Sequence, residues 1–317
     1  MSFAYRHKDQ VDNSIENSRK RGSYKSVLKS LGSQAGVMAR KLSNALLDRQ
    51  KVTWHGGYEN GRLDSKRLVA AYLSNPMVYK KREDNDALDT AVSILVDLSD
   101  SMRGRSIKVA QAGAIALAES LSQTEIPTEV IGFRETDRAD TAHGSDPTIK
   151  YGRTHRTDMI VFKSFEDSLN SARDFLGCIP EFVEGTTNDT EGVLKAYRRL
   201  AVRPEKKKIL LALSDGSPSY KTGYFSGVNW DPDSQNRFCA QTLRDAVDYV
   251  ISKGVYVVGI GILTSSVSKF YPHYAVVHEL EELSGAMIDE VAKGLLGITV
   301  RTGDAPYTVG RTVKAAA

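Results

Sequence analysis

From residue 91 onward the 317-residue chain alternates short, almost wholly apolar runs with Ala- and Leu-rich amphipathic stretches, and this alternation restricts the fold more than any other feature. The runs at 92–97 (VSILVD), 128–133 (TEVIGF), 207–215 (KKILLALSD) and 255–262 (VYVVGIGI) read as strands. Helical patterns at about 105–123, 190–201 and 237–253 separate them, with helical segments at about 276–296 and a long irregular stretch at about 134–160. Near-continuous hydrophobic strands suit a sheet covered on both faces, and intervening helices of this length pair such strands in parallel. The expected fold class is therefore α/β, a doubly wound, mostly parallel sheet of Rossmann-like layout with a helical N-terminal extension.

Ahead of that pattern the composition shifts. Residues 1–50 hold ten Lys/Arg against four Asp/Glu, so the net charge of +4 belongs to this part of the chain. A short charge run of this kind reads as a solvated face or a flexible start, and nucleic-acid binding is not expected. We divide the chain into a basic leader (1–34), a helical connector (35–90), the α/β domain (91–296) and a C-terminal tail (297–317). Val37, Met38, Leu42, Leu46 and Leu47 fall on one helical stripe. In the connector, Gly56-Gly57 and Gly61 signal a turn, Asp64 is placed to cap a short helix through Leu73, and Asn75-Pro76 ends it. His55 stands alone and reads as a surface or packing residue. No apolar run reaches the ~18 residues of a membrane span, and the start has no signal-peptide core, so a cytoplasmic location with no membrane partner is expected. Cys178 and Cys239 have no CxxC spacing and read as buried thiols.

Chemistry concentrates where the first strand stops. Extended geometry beyond Asp97 sends residues 97, 99 and 101 toward one side, so that one carboxylate and two hydroxyls share a point. Asp215 ends another strand, and in sheets of this class polar sites form beyond the carboxyl ends of strands. A GTTND loop (185–189) precedes the helix expected at about 190–201. Few negative charges with several neutral oxygens suit Mg²⁺, with Mn²⁺ as a substitute, better than Zn²⁺. The alternative for Ser99 and Ser101 is that they cap the following helix, as serines often do.

The strings DLSDSM, GTTND and LSDGSP resemble the metal-ion-dependent adhesion site (MIDAS) of von Willebrand factor A (VWA) domains. GRLDSKRL, SMRGRSIKVA, RPEKKKILLALSDGSP, VVGIGI, VSKFYPHYAVV and EELSGAM extend the likeness, over about residues 35–296, to the CobT subunit family of aerobic cobaltochelatase. The resemblance implies that Asp97, Ser99, Ser101, Thr187 and Asp215 hold Mg²⁺, Asp215 through water. Thr186 and Thr190 compete with Thr187 for the threonine position, and relatives tend to have an acid at Asp189. Asp100 stands where relatives commonly have Gly. Five such ligands leave one coordination position for a partner's carboxylate, a docking clasp rather than a reaction centre. The partners implied are a AAA+ ATPase subunit, a large chelatase subunit that inserts cobalt into a corrin, and an oligomeric ring assembly. A second expectation is a stand-alone adaptor of a MoxR-like AAA+ ATPase.

Catalysis by the chain alone is not expected. It contains no GxxxxGK[ST] phosphate loop and no GxSxG elbow, and a haloacid-dehalogenase phosphatase needs a second Asp where Ser99 stands. An extracellular adhesion module is not expected either, since nothing in the sequence directs secretion.

Overall fold

In the computed structural model, residues 21–32, 36–37, 40–41, 53–67, 76–83, 89–139, 155–216, 218, 232–279 and 286–295 are described. They run as α1 (Arg21–Leu31), β1 (Thr53–Tyr58), β2 (Arg62–Leu63), β3 (Tyr79–Glu83), β4 (Thr90–Asp97), α2 (Arg105–Gln123), β5 (Thr128–Ala139) and β6 (His155–Lys163). Then follow α3 (Leu169–Leu176), α4 (Asp189–Ala201), β7 (Lys207–Ser214), α5 (Pro232–Ser252), β8 (Val255–Ile262), β9 (His273–Val277) and α6 (Ala286–Leu295).

β4 to β9 form one six-stranded sheet in the order β6-β5-β4-β7-β8-β9, parallel throughout except for β6. All eight residues of β4 are buried. Its side chains alternate between two cores: Val92, Ile94 and Val96 join the layer of α2 and α3, while Ala91 and Leu95 join that of α4 and α5. This is the doubly wound arrangement expected, and it explains why the strand lacks polar alternation. The strand order reverses between β4 and β7, because α2 leads from β4 to β5 on one side and α5 from β7 to β8 on the other. The carboxyl ends of β4 and β7 therefore flank a crevice at the switch point.

Helix α4 is seated on β5 partly through a buried ion pair. Glu129, fully buried, accepts from Arg199 Nε at 2.7 Å and also pairs with the Arg199 terminal nitrogen, while Ser93 Oγ stands 3.4 Å away. Burial outweighs the guanidinium and pushes the Glu129 carboxyl above its ordinary range.

Four expectations change. The stretch taken as irregular contains the end of β5 and the first part of β6, with residues 140–154 outside the described residues. Its strands escaped notice because RETDRA and HRTD are polar and the β5–β6 pairing shifts register between Thr136 and Ala139. The segment HYAVV (273–277), whose last two residues fall in the stretch expected to be helical, is the parallel edge strand β9, and of that stretch the described residues 286–295 form α6. Among its described residues the connector holds, besides the expected helical character at 36–37 and 40–41, a three-stranded antiparallel sheet, β1-β3-β2, that was not expected. Gly57, at φ +99°, lies at a register shift in β1 and serves a bulge. Of the helix expected after Asp64, a 3-10 turn at Ser65–Arg67 is present and residues 68–75 lie outside the described residues. Of the stripe over Val37–Leu47, only residues 37, 40 and 41 are described, and they are helical.

The leader is the fourth change. Tyr24, Val27, Leu28 and Leu31 recur at helical spacing and pack α1 against α2 and α3, with Tyr24 and Leu31 buried. Tyr24 donates its hydroxyl to Glu119 Oε1 at 2.7 Å. Lys25 and Lys29 remain exposed, which is the solvated face expected for the basic residues. Cys178 and Cys239 are buried and not joined in a disulfide.

Candidate metal centre

Three loops meet at the crevice. Leu98, buried, anchors the exit of β4 with its N–H on Phe133 O at 3.0 Å. Asp97 Oδ1 accepts from Ser99 N–H at 2.8 Å, so the carboxylate folds back onto the turn that follows it. The chain is extended only as far as Ser99 (φ −66°, ψ 161°); a 3-10 turn at Asp100–Met102 follows, closed by Met102 N–H on Ser99 O at 3.0 Å and pinned by the buried Met102. Ser101 therefore reaches the site through this turn rather than through an extended strand. The outcome for the hydroxyls is nonetheless the one expected, because Ser99 Oγ and Ser101 Oγ stand 2.8 Å apart. Neither serine caps α2, whose N-cap is Gly104, and Ser99 makes no side-chain cap bond to the 3-10 turn. Asp100 is exposed and pairs with Arg103 at 2.8 Å.

The second loop is laced to the first by Glu184 N–H on Leu98 O and Asp100 N–H on Gly185 O, both 2.9 Å. Its threonines part company. Thr186 donates to Glu135 Oε2 at 2.8 Å, and Thr190 donates to Thr242 Oγ1 of α5 at 3.2 Å. Thr187 donates to Asp189 Oδ2 at 3.0 Å, and the Asp189 charge in turn acts on the Asp97 carboxyl. Asn188 then caps α4, accepting from Glu191 N–H at 3.1 Å.

The third loop leaves β7. Val96 pairs with Leu213, which sets Asp97 alongside Ser214, and Ser214 Oγ donates to Asp97 Oδ2 at 2.9 Å. Asp215 follows, half-buried, and Gly216 turns the chain at φ +73°. A Cβ at Gly216 would stand 2.8 Å from Val267 N, so the position needs glycine twice over.

Asp97, Asp189 and Asp215 are near enough for their charges to interact. Burial, then the charges of Asp189 and Asp215, raises the Asp97 carboxyl well above the usual range. Burial likewise pushes Asp189 up to about 6, with Asp215 adding to it and the Thr187 hydrogen bond opposing it. Tyr271, buried behind the site, is raised by burial and by both acids. Asp189, Ser214 and Tyr271 are the participants that sequence reasoning passed over or held only as an alternative. Ser214 was visible in LSDGSP, one residue before the acid.

The donor set fits a small, hard divalent cation: carboxylate and hydroxyl oxygens converge, and the mutual repulsion of the acids is what such a charge relieves. Among the described residues no group of three or more His, Cys, Asp or Glu side chains is arranged as a metal cage. The site mixes its carboxylates with the hydroxyls of Ser99, Ser101 and Thr187 instead.

A hydroxyl-rich cluster at the switch point of a Rossmann-ordered sheet with one antiparallel edge strand defines a VWA-type α/β domain. Residues 78–297, more than half of the chain, match the family model described as "Cobalamin biosynthesis protein CobT VWA domain", and the protein belongs to that family. The protein named "Uncharacterized protein YojO" of Bacillus subtilis (strain 168) is 27% identical over 200 residues, covering 62% of this chain and 29% of YojO. The chain therefore spans less than a third of that relative's length. Among solved structures, the PilB minor pilin of Streptococcus sanguinis is similar at 12% identity and TM-score 0.48, over 71% of this chain and 67% of that one. Proximal thread matrix protein 1 from the mussel byssus, with a zinc-occupied MIDAS motif, is similar at 15% identity and TM-score 0.41, over 65% and 46%. No helix among the described residues is long and apolar enough to cross a membrane.

Proposed function

We propose that the protein is a Mg²⁺-binding VWA subunit that docks a AAA+ ATPase in a cobaltochelatase-like complex, with Asp97, Ser99, Ser101, Thr187 and Asp215 holding the ion. The observation that carries this reading is the meeting of Asp97, the 2.8 Å Ser99–Ser101 hydroxyl pair and the Thr187–Asp189 pair beside the β7 terminus. Membership of the CobT VWA family supports the choice of assembly. When bound, the ion supplies an electrophilic position for a carboxylate oxygen of the partner. The protein's own residues do the rest: Asp97 supplies charge, the hydroxyls supply neutral donors, and the three laced loops keep those donors in place. Cobalt insertion into a corrin belongs to the ring assembly with its large subunit, and the isolated chain is expected to turn over no ATP.

Co-purification with the AAA+ partner tests the reading. Breaking a desolvated contact of this kind costs about 2–5 kcal/mol, or about thirtyfold or more in affinity. Asp97→Ala and EDTA should each release the ATPase, and full recovery in EDTA would refute the clasp. The same docking chemistry serves a stand-alone adaptor of a MoxR-like ATPase, since none of the five residues is specific to a corrin. Cobalt insertion by the reconstituted assembly separates the two readings.

A further inference from the structure

We infer that Ser214 is a positioning residue for the metal centre, fixing the Asp97 carboxylate in the plane that the cation requires. The inference rests on the metal-binding reading above and adds a residue that lies outside the five proposed ligands.

Asp97 is 1% exposed, and each of its oxygens is tied by one donor from a different loop. Oδ1 accepts from the Ser99 backbone N–H at 2.8 Å, and Oδ2 accepts from Ser214 Oγ at 2.9 Å. A carboxylate torsion is broad and nearly two-fold, so a single donor leaves the group free to swing, whereas two donors on opposite oxygens fix its plane. Each oxygen keeps lone-pair capacity for a cation. The Ser214 hydroxyl is itself oriented, because its oxygen accepts from Gly216 N–H at 3.0 Å. The glycine turn that starts the loop after β7 therefore sets the Ser214 proton, and that proton sets the Asp97 carboxylate. A hydroxyl has only one proton to give, and Asp189 also lies within reach of Ser214. Spending that proton on Asp97 leaves Asp189 to the hydroxyl of Thr187, which donates to it at 3.0 Å. The pattern gives each buried acid its own donor and leaves the hydroxyl oxygens of Ser99, Ser101 and Thr187 with lone pairs for the ion. Ligand-orienting partners of this kind typically change metal affinity by 10–100-fold when removed.

The test compares Ser214→Ala, Ser214→Cys, Ser214→Thr and Asp97→Ala by calorimetric titration with Mg²⁺ and Mn²⁺, alongside thermal melts in EDTA. Ser214→Cys nearly preserves the side-chain volume while weakening the donor, so it remains informative if the alanine variant does not fold. The expected result is a Kd raised about 10–100-fold by Ala and Cys and restored to within about threefold by Thr, which keeps the hydroxyl. A purely structural hydroxyl would shift the EDTA melts without moving Kd in the folded variants. Wild-type affinity in the folded Ala or Cys variant, with binding abolished in Asp97→Ala, overturns the role of Ser214 and leaves the metal reading standing. A wild-type protein that binds neither ion overturns both.

Discussion

Replacing Arg199 by Met should destabilise the protein in a strongly pH-dependent way. Met retains most of the aliphatic stem but removes both guanidinium contacts to Glu129, whose side chain is fully buried while that of Arg199 is 31% exposed. What remains is the Ser93 hydroxyl at 3.4 Å, too long to compensate a charge, and the more distant cations Lys163 and Arg203, which keep the loss below the value for a carboxylate left wholly alone. A carboxyl buried without a partner titrates as high as about 8–9, against about 4.3 when free, and each unit is worth about 1.36 kcal/mol. The ceiling at pH 8 is therefore about 5 kcal/mol. Burial already raises the wild-type carboxyl, so part of this cost is present before the mutation. We expect a net loss of about 3 kcal/mol at pH 8, in line with the 3–5 kcal/mol typical of breaking a buried pair. At pH 5 the carboxyl is neutralised for little more than the distance to its free value, and the loss should fall below about 1 kcal/mol.

The sign follows from linkage. A carboxyl raised in the folded state binds a proton that the unfolded chain has released, so stability is greatest at low pH and declines as pH climbs toward the folded value. Arg199→Met raises that value further and widens the declining range. Urea unfolding of wild type and variant at pH 5 and pH 8 measures the difference, from which the titration of other groups cancels. Adding Glu129→Gln to the variant should remove the extra pH dependence. An equal loss at both pH values would refute the reasoning. Arg199 lies ten residues beyond Asp189, about 15 Å along α4, so the folded variant should still bind metal normally.

Among the threonines, Thr187→Ala should weaken Mg²⁺ binding by about tenfold or more, while Thr186→Ala and Thr190→Ala, whose hydroxyls serve Glu135 and Thr242, should leave it near wild type. Titration calorimetry on the three variants decides it, and a larger effect at Thr190 would reassign the ligand. Gly216→Ala should cost about 1–3 kcal/mol, since it places a Cβ at φ +73° and 2.8 Å from Val267 N. An unchanged thermal midpoint would contradict that strain. Tyr24→Ala should cost about 3 kcal/mol if α1 is docked through its buried ring, and no change in urea midpoint would mean that α1 does not contribute to the domain.

The part of the fold written most plainly in the sequence was the part whose burial is two-sided. Strands β4, β7 and β8 announce themselves because both faces are covered and every residue can be apolar. β6 and β9 do not, because an edge strand tolerates polar residues and HYAVV is too short to show a period. The connector misled for a different reason: glycines that mark a turn also mark a bulge, and only the register of β1 with β3 distinguishes them. At the site, Asp97 and Asp215 were legible as acids ending hydrophobic runs. That β4 and β7 are neighbours is a tertiary fact, as is the 3-10 turn that brings Ser101 to Ser99. The sequence left three threonines open, and where their hydroxyls go, Thr186 to Glu135, Thr190 to Thr242 and Thr187 to Asp189, is again a tertiary fact. Ser214 stood in plain view within LSDGSP, but its role depends on the hydrogen bond to Asp97, which only the structure gives.

The most direct test is calorimetric titration of Mg²⁺ and Mn²⁺ into the metal-stripped wild-type protein and into Asp97→Ala. Binding of one ion per chain by the wild type, abolished in the variant while the EDTA melt shows both proteins folded, is the predicted result. Equal binding by the two proteins would contradict the account, because the ion would then sit somewhere other than the crevice between β4 and β7.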